Sequence, residues 1–259
     1  MHILYEVFTL NSFLRILLNL YYTEDYFTNL FTLKDYSEFV NIFKLEGYSF
    51  KFFLEDSVKK EKCVYLRHDI DFSLEHALEM ALVEKDLDIK STYFIMLSSN
   101  SYNPFSEVNR KIIKNILSLG HQISLHFDPN AHEKVNESFN DEVRFFQTIF
   151  QKKINIVSLH RPGQFLNSAN KNYDLNGFPH TYQSQFFEEM EYFSDSRGSD
   201  LHHILNKSKL KKLEKSIHLL IHPIWWTKKA KNPKERLICW LNANYSFLLS
   251  ETQKNCRVF

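Results

Sequence analysis

The chain contains few of the residues that build disulfide frameworks and flexible linkers. Its 259 residues include three cysteines, five glycines and six prolines. The cysteines are far apart and form no C-x-x-C pair, which argues against a disulfide framework and against a cysteine zinc knuckle. A reducing compartment is therefore expected. No tract rich in proline or glycine separates two domains, so we expect one main domain.

The chain also has no large excess of positive or negative charge. Lys and Arg number 32 against 31 Asp and Glu, a formal net charge of +1. No basic block interleaved with aromatic residues appears, so we expect no nucleic-acid partner. No uncharged apolar run is long enough to span a bilayer, so we also expect no transmembrane segment.

The N-terminal region is apolar from about residue 8 to residue 22, but Asn11, Arg15 and Asn19 interrupt it. The stretch has neither a basic leader before it nor a small-residue cleavage site after it. We expect an amphipathic helix packed on the domain; a helix on a membrane surface is the alternative. The chain is thus divided into an N-terminal helical extension, residues 1–34, and a domain, residues 35–259, of a cytoplasmic protein.

Short apolar runs alternate with amphipathic stretches through the rest of the chain. Apolar residues at helical spacing predict helices, and short apolar runs between them predict strands. Strand–helix alternation indicates an α/β fold with a parallel sheet and crossover helices, and the chain length suits a barrel. The predicted strands cover 63–66, 92–97, 122–125, 154–159 and 218–221, and the predicted helices cover 35–46, 74–87, 108–119 and 140–150.

Acidic and histidine side chains follow four of the five predicted strands. In parallel α/β folds the loops at this end of the strands carry the reactive groups. Carboxylates with imidazoles suit Zn²⁺, Fe²⁺, Co²⁺ or Mn²⁺. A metal with an open position polarises a carbonyl and activates water, a second carboxylate can take a proton, and a histidine can supply one. The residues are Asp69 with Asp71, His126 with Asp128, His160, and His222.

The motifs that contain these residues resemble those of the polysaccharide deacetylases, the NodB-homology group of family 4 carbohydrate esterases. The resemblance runs from about Tyr36 to Trp226. It implies a distorted (β/α) barrel that removes acetyl groups from sugars with a metal-activated water. The five motifs are His68-Asp69-Ile70-Asp71, Gly120-His121-Gln122-Ile123-Ser124-Leu125-His126, His160-Arg161-Pro162-Gly163, Ser194-Asp195-Ser196-Arg197 and Leu220-Ile221-His222.

The resemblance also implies roles for single residues. Asp69 is expected to be the general base, His222 the general acid, and Arg161 the residue that keeps Asp69 ionised. Asp71 and His126 are expected to hold a divalent metal, foremost Zn²⁺, with Co, Ni, Fe or Mn as alternatives.

The third protein ligand is less determined. The family motif places a second histidine four residues after His126, where this chain has Asn130. Asp128 and His132 are the substitutes nearby. We favour Asp128 because it follows the strand directly and carries a charge.

The remaining motif residues are expected at the substrate. They are His160, Asp195, Arg197, Trp225 and Trp226, although the two tryptophans could equally be packing residues. The expected reaction removes an acetyl group from an N-acetylated sugar or oligosaccharide. The alternatives are hydrolysis of another C–N bond, in an amide, a cyclic amide or a formyl group, and a non-catalytic carbohydrate-binding homologue with a degenerate metal site. The oligomeric state is left open.

Overall fold

The computed structural model describes residues 31–55, 62–164, 166, 173–201, 205, 207–229 and 231–258. The predicted N-terminal helix, residues 8–22, lies outside the described residues, and the division at residue 34 stays a prediction. No helix in the described ranges is both long enough and apolar enough to cross a membrane.

The described elements follow the predicted alternation of strands and helices. All five predicted strands and all four predicted helices are present, with shifted ends. Two strands, β1 and β6, were not predicted, because each is short and only partly buried. The strands are β1 Ser49–Phe50, β2 Cys63–Ile70, β3 Thr92–Ile95, β4 Gln122–Phe127, β5 Ser158–Leu159, β6 Glu191–Ser194 and β7 Ile217–Ile221. The helices are α1 Leu33–Leu45, α2 Leu74–Asp86, α3 Glu107–Ser118, α4 Val135–Phe150, α5 Ser184–Phe187, α6 Lys207–Lys212 and α7 Pro233–Asn255.

Local sequence explains where the first helix begins and ends. Thr32 and Asp35 form a reciprocal capping box, which satisfies two free amides at the start of α1. Gly47 follows the last turn with a φ of 83°, a left-handed conformation that glycine adopts without strain. Apolar side chains at helical spacing on α1 face the core: Tyr36, Phe39, Val40 and Phe43.

The sheet is parallel throughout, in the order β5-β4-β3-β2-β7-β6, with β1 paired to β2. It is also strongly curled. Strands β2 and β5 are three positions apart, about 14 Å in a flat sheet. Yet Arg67 Nη2 on β2 lies 2.5 Å from Ser158 Oγ on β5. The side chains on the concave face therefore meet across the interior, as in a distorted (β/α) barrel.

Alternation along β2 assigns its side chains to two environments. Val64 and Leu66 face outward into a core shared with α1. Tyr65 packs inside the barrel against an apolar cluster of Phe53, Phe94, Ile156 and Phe186. Arg67 and Asp69 continue along the inner face, so the apolar floor of the barrel gives way to ionisable groups toward the carboxyl ends of the strands.

A buried carboxylate ties the helices to the outer face of the sheet. Glu84 on α2 is fully buried and accepts hydrogen bonds from the hydroxyls of Tyr36, Ser91 and Tyr93. Its Oε1 also lies 2.6 Å from Nε2 of His68. Burial would raise the pKa of Glu84, but His68, His121 and the hydroxyl of Ser91 outweigh burial and lower it to about 2. Glu84 thus joins α1, α2, β2 and β3 in one polar network.

Candidate active site

Three potential ligands meet at the carboxyl ends of β2, β4 and β5. Asp71 Oδ1 lies 3.2 Å from His126 Nε2 and 3.3 Å from His160 Nδ1. The two ring nitrogens are themselves 3.2 Å apart. Strand register explains this meeting. His126 pairs with Ser158, and His160 follows Ser158 by two residues on the same face, where its ring reaches that of His126.

This trio fits a divalent cation. Two imidazole nitrogens and a carboxylate oxygen are ligands that Zn²⁺ and related metals prefer, and the ligand atoms all lie within 4.8 Å of one another. The Asp71 side chain keeps 17 % of its surface exposed, so the trio opens toward solvent.

The expected third ligand is corrected by these contacts. Asp128 is turned away from the trio: its Oδ2 accepts from Arg161 Nη2 at 2.5 Å and its Oδ1 accepts from the amide of Asn130 at 3.0 Å. His132, the other substitute, lies 3.1 Å from Glu142 instead. Asp128, Asn130 and His132 all belong to the short turn after β4, which caps itself, and it is His160 that lies near Asp71 and His126.

Asp69 lies just below the trio, inside the barrel. Both carboxylate oxygens of Asp69 accept hydrogen bonds from Arg67: Nε donates to Oδ1 at 2.8 Å, and Nη2 donates to Oδ2 at 2.6 Å. Burial would raise the pKa of Asp69, but Arg67 and then His126 outweigh burial and lower it to about 2. Asp69 Oδ2 is 3.7 Å from His126 Nε2, so an ionised carboxylate borders the trio.

The expected contact between Arg161 and Asp69 is therefore wrong. Arg161 has a 66 % exposed side chain and binds Asp128, while the fully buried Arg67 binds Asp69. Sequence reasoning missed Arg67 although a signal was present. The alternation that puts Asp69 and Asp71 on one face of β2 puts Arg67 on that face as well.

His222 approaches the trio from the end of β7. Its Nε2 lies 3.9 Å from Asp71 Oδ2, and its Nδ1 lies 2.6 Å from Asp195 Oδ1. Burial would lower the pKa of His222, but the hydrogen bond to Asp195 and the Asp195 charge raise it to about 9. His222 is thus a histidine that stays protonated at neutral pH.

Two residues that were expected to contact the substrate, Asp195 and Trp226, are buried. Asp195 is buried and accepts hydrogen bonds from His222 and from Trp226 Nε1, at 2.9 Å for the latter. Trp226 itself is fully buried against Phe31. These contacts correct the expectation that Asp195 and Trp226 touch the sugar.

Trp225 is also mostly buried, with 7 % of it exposed, and its expected contact with substrate stays a prediction. The turn Pro223–Trp225 that follows His222 directs both tryptophans into the core with α1. Arg197 is exposed in the next turn after β6, with a left-handed φ of 62°. Its expected contact with substrate stays a prediction.

The comparisons with known proteins add a likeness of fold. No family model and no curated protein sequence matches the chain. Solved structures do match. The chain is similar to family 4 carbohydrate esterases. With a CE4 family pseudoenzyme from Bacillus anthracis it shares 17 % identity over 72 % of this chain and 61 % of that one, at a TM-score of 0.45.

Two further structures match at comparable levels. A family 4 carbohydrate esterase from Bacillus anthracis shares 14 % identity over 81 % of this chain and 86 % of that one, at a TM-score of 0.40. The chitin deacetylase of the fungal pathogen Colletotrichum lindemuthianum shares 16 % identity over 70 % of this chain and 81 % of that one, at a TM-score of 0.41. The chain spans only 61 % to 63 % of the first structures that it matches.

Proposed function

We propose that this protein is a metal-dependent hydrolase that removes the acetyl group from an N-acetylated sugar. One observation carries the proposal. An ionised carboxylate, Asp69, and a histidine with a raised pKa, His222, both lie within 4 Å of a trio of metal-ligand type. Hydrolysis of an amide needs a base for the attacking water and an acid for the departing amine.

In this proposal Asp71, His126 and His160 hold the metal, which polarises the acetyl carbonyl and makes water more acidic when it is bound. Asp69 takes the proton of the attacking water, because its low pKa keeps it ionised at neutral pH. His222 gives its Nε2 proton to the amine nitrogen that leaves. Asp195 holds the ring of His222 from the other side.

Zn²⁺ is the metal that we propose, because carboxylate and imidazole ligands suit it; Co, Ni, Fe or Mn would suit the same atoms. The proposed substrate is a sugar or oligosaccharide that carries an N-acetyl group, handled in the cytoplasm. All three cysteines are free, one buried and two exposed, as expected in a reducing compartment.

The test compares three proteins: wild type, Asp71→Ala and Asp69→Asn. Each is stripped of metal, reloaded with Zn²⁺, analysed for bound metal, and assayed on N-acetylated sugars and oligosaccharides. The assay measures acetate, formate and ammonia separately, which distinguishes deacetylation from hydrolysis of other C–N bonds.

We expect Asp71→Ala to lose both metal and activity, because it removes the anionic ligand. Asp69→Asn should keep the metal and lose turnover by a factor of about 100 or more, the typical share of a general base. A fully active Asp69→Asn protein would contradict the role of Asp69. A wild-type protein that binds no divalent metal would refute the proposed function as a whole.

A further inference from the structure

Ser158 lies where the base and the metal trio meet. It is fully buried on β5, and its hydroxyl contacts three ionisable side chains. Ser158 Oγ is 2.5 Å from Arg67 Nη2, 3.0 Å from Asp69 Oδ1 and 2.9 Å from His126 Nδ1. One serine oxygen therefore connects the residue proposed as base with a residue proposed as metal ligand.

The hydrogens on these atoms can be assigned by elimination. A serine hydroxyl has one hydrogen to donate and two lone pairs to accept with. Arg67 can only donate, so it uses one lone pair of Ser158. Both oxygens of Asp69 accept from Arg67, so Asp69 is a carboxylate without a hydrogen to give, and it takes the single hydrogen of Ser158. Only a lone pair then remains for His126, and its Nδ1 must carry a hydrogen and donate it.

This assignment determines the chemistry at the other ring nitrogen of His126. With the hydrogen on Nδ1, the neutral ring has an unprotonated Nε2, and Nε2 is the atom that points at Asp71 and His160. Metal-binding histidines depend on such a partner for the second nitrogen, which fixes both the tautomer and the direction of the ring.

We propose that Ser158, oriented by Arg67, is a positioning residue that holds His126 in the Nδ1–H tautomer ready for metal and at the same time orients Asp69. The use of this tautomer, to leave Nε2 free for a metal, rests on the proposed function. The assignment of the hydrogens rests only on the contacts of Ser158. Because Arg67 can only donate, it directs the Ser158 hydrogen toward Asp69 and leaves a lone pair of Ser158 for the Nδ1 hydrogen of His126.

The experiment uses Ser158→Ala with Ser124→Ala as its matched control. Ser124 is also buried on the inner side of the barrel, but its hydroxyl donates to the carbonyl of Ile156 and not to the site. Both changes remove one buried serine hydroxyl. The first measurement is the Zn²⁺ dissociation constant of each protein, by competition with a chelator, together with the melting temperature.

The second measurement needs no metal. Long-range ¹H–¹⁵N spectra of the metal-free wild type, at a pH where the ring carries one hydrogen, report which nitrogen of His126 is protonated. The signals are assigned by their loss in His126→Gln. This readout stays available if a variant folds poorly.

We expect the Nδ1–H tautomer in the wild type and a mixture of tautomers in Ser158→Ala. Ser158→Ala should also bind Zn²⁺ about 10 to 100 times more weakly, the usual cost of losing the partner of a metal-binding histidine. Ser124→Ala should bind it as the wild type does.

A wild-type His126 with its hydrogen on Nε2 would overturn the inference, and so would a Ser158→Ala protein with unchanged Zn²⁺ affinity and tautomer. In either case a protein that binds Zn²⁺ and releases acetate still upholds the proposed function. Conversely, a wild type without Zn²⁺ affinity refutes the proposed function, while the tautomer measurement still decides the inference.

Discussion

Replacing Asp195 by asparagine tests whether the carboxylate behind His222 makes that histidine an acid. Among the groups that raise the pKa of His222 to about 9 from an ordinary 6.5, Asp195 contributes most, through its hydrogen bond and its charge. Asparagine keeps the size of the side chain. Its amide can donate to Nδ1, which stabilises the neutral ring, whereas the carboxylate stabilises the charged ring.

The expected magnitude follows from the two pKa values. At pH 8 about 90 % of His222 is protonated with a pKa of 9, against about 3 % with a pKa of 6.5. Deacetylation at pH 8 should therefore fall by up to about 30-fold in Asp195→Asn, and by less to the extent that Asp71 and Asp69 still raise the pKa of His222. The loss should shrink as the pH is lowered to 6, because the acid form is then restored.

The assay is the pH profile of kcat/KM from pH 5 to pH 10, with Asp141→Asn as control. Asp141 lies on the exposed face of α4 and pairs with Arg144, so its profile should match the wild type. The alkaline limb should move to lower pH in Asp195→Asn alone. An equal loss at every pH would refute the reasoning, since that result would indicate damage to the fold rather than a lowered pKa.

Folding stability should show the same linkage. A raised pKa in the folded state stabilises the protein below pH 6.5, and this contribution disappears as the pH rises through about 9. The difference between the two pKa values corresponds to about 3 kcal/mol. Asp71 and Asp69 also raise this pKa, so urea unfolding at pH 6 should show Asp195→Asn to be less stable by up to that amount, with a smaller difference at pH 10.

Two further predictions concern the network behind the sheet and the third ligand. Glu84→Gln should lower the free energy of unfolding by about 3 kcal/mol near neutral pH, because the amide nitrogen of glutamine cannot accept the buried hydrogen bonds that the carboxylate accepts. Since the pKa of Glu84 is lowered from 4.5 to about 2, the wild type should lose this contribution as the pH falls through that window, as urea unfolding between pH 7 and pH 2 would show. An unchanged urea midpoint at pH 7 would contradict it. His160→Gln should weaken Zn²⁺ binding, whereas Asp128→Asn should not; chelator competition measures both, and the reverse order would restore Asp128 as the third ligand.

Local sequence was sufficient for much of the fold. Hydrophobic period and capping residues act over a few neighbours, so each of the five predicted apolar runs contains a strand, and α1 begins and ends within two residues of its prediction. The short strands β1 and β6 carry too little pattern for such recognition. That Asp71 and His126 come together also followed from sequence, because strand ends of a parallel sheet share one edge.

The partners of those residues were decided by the tertiary structure. A sequence shows that Arg67 and Arg161 are both close to the motifs, but the curl of the sheet determines which guanidinium reaches Asp69. The self-capped turn after β4 removes Asp128 from the trio, and the register of β5 with β4 brings His160 in.

Sequence by itself thus determined which residue types stand at the ends of the strands, since alternation and strand order are local or nearly local properties. Only the tertiary structure decided which of them touch. Contacts such as that of Ser158 with Asp69, across 89 positions of the chain, depend on the sheet's curvature and on rotamers chosen by close packing. Neither the curvature nor the rotamers can be predicted from the short-range pattern of the residues that make the contact.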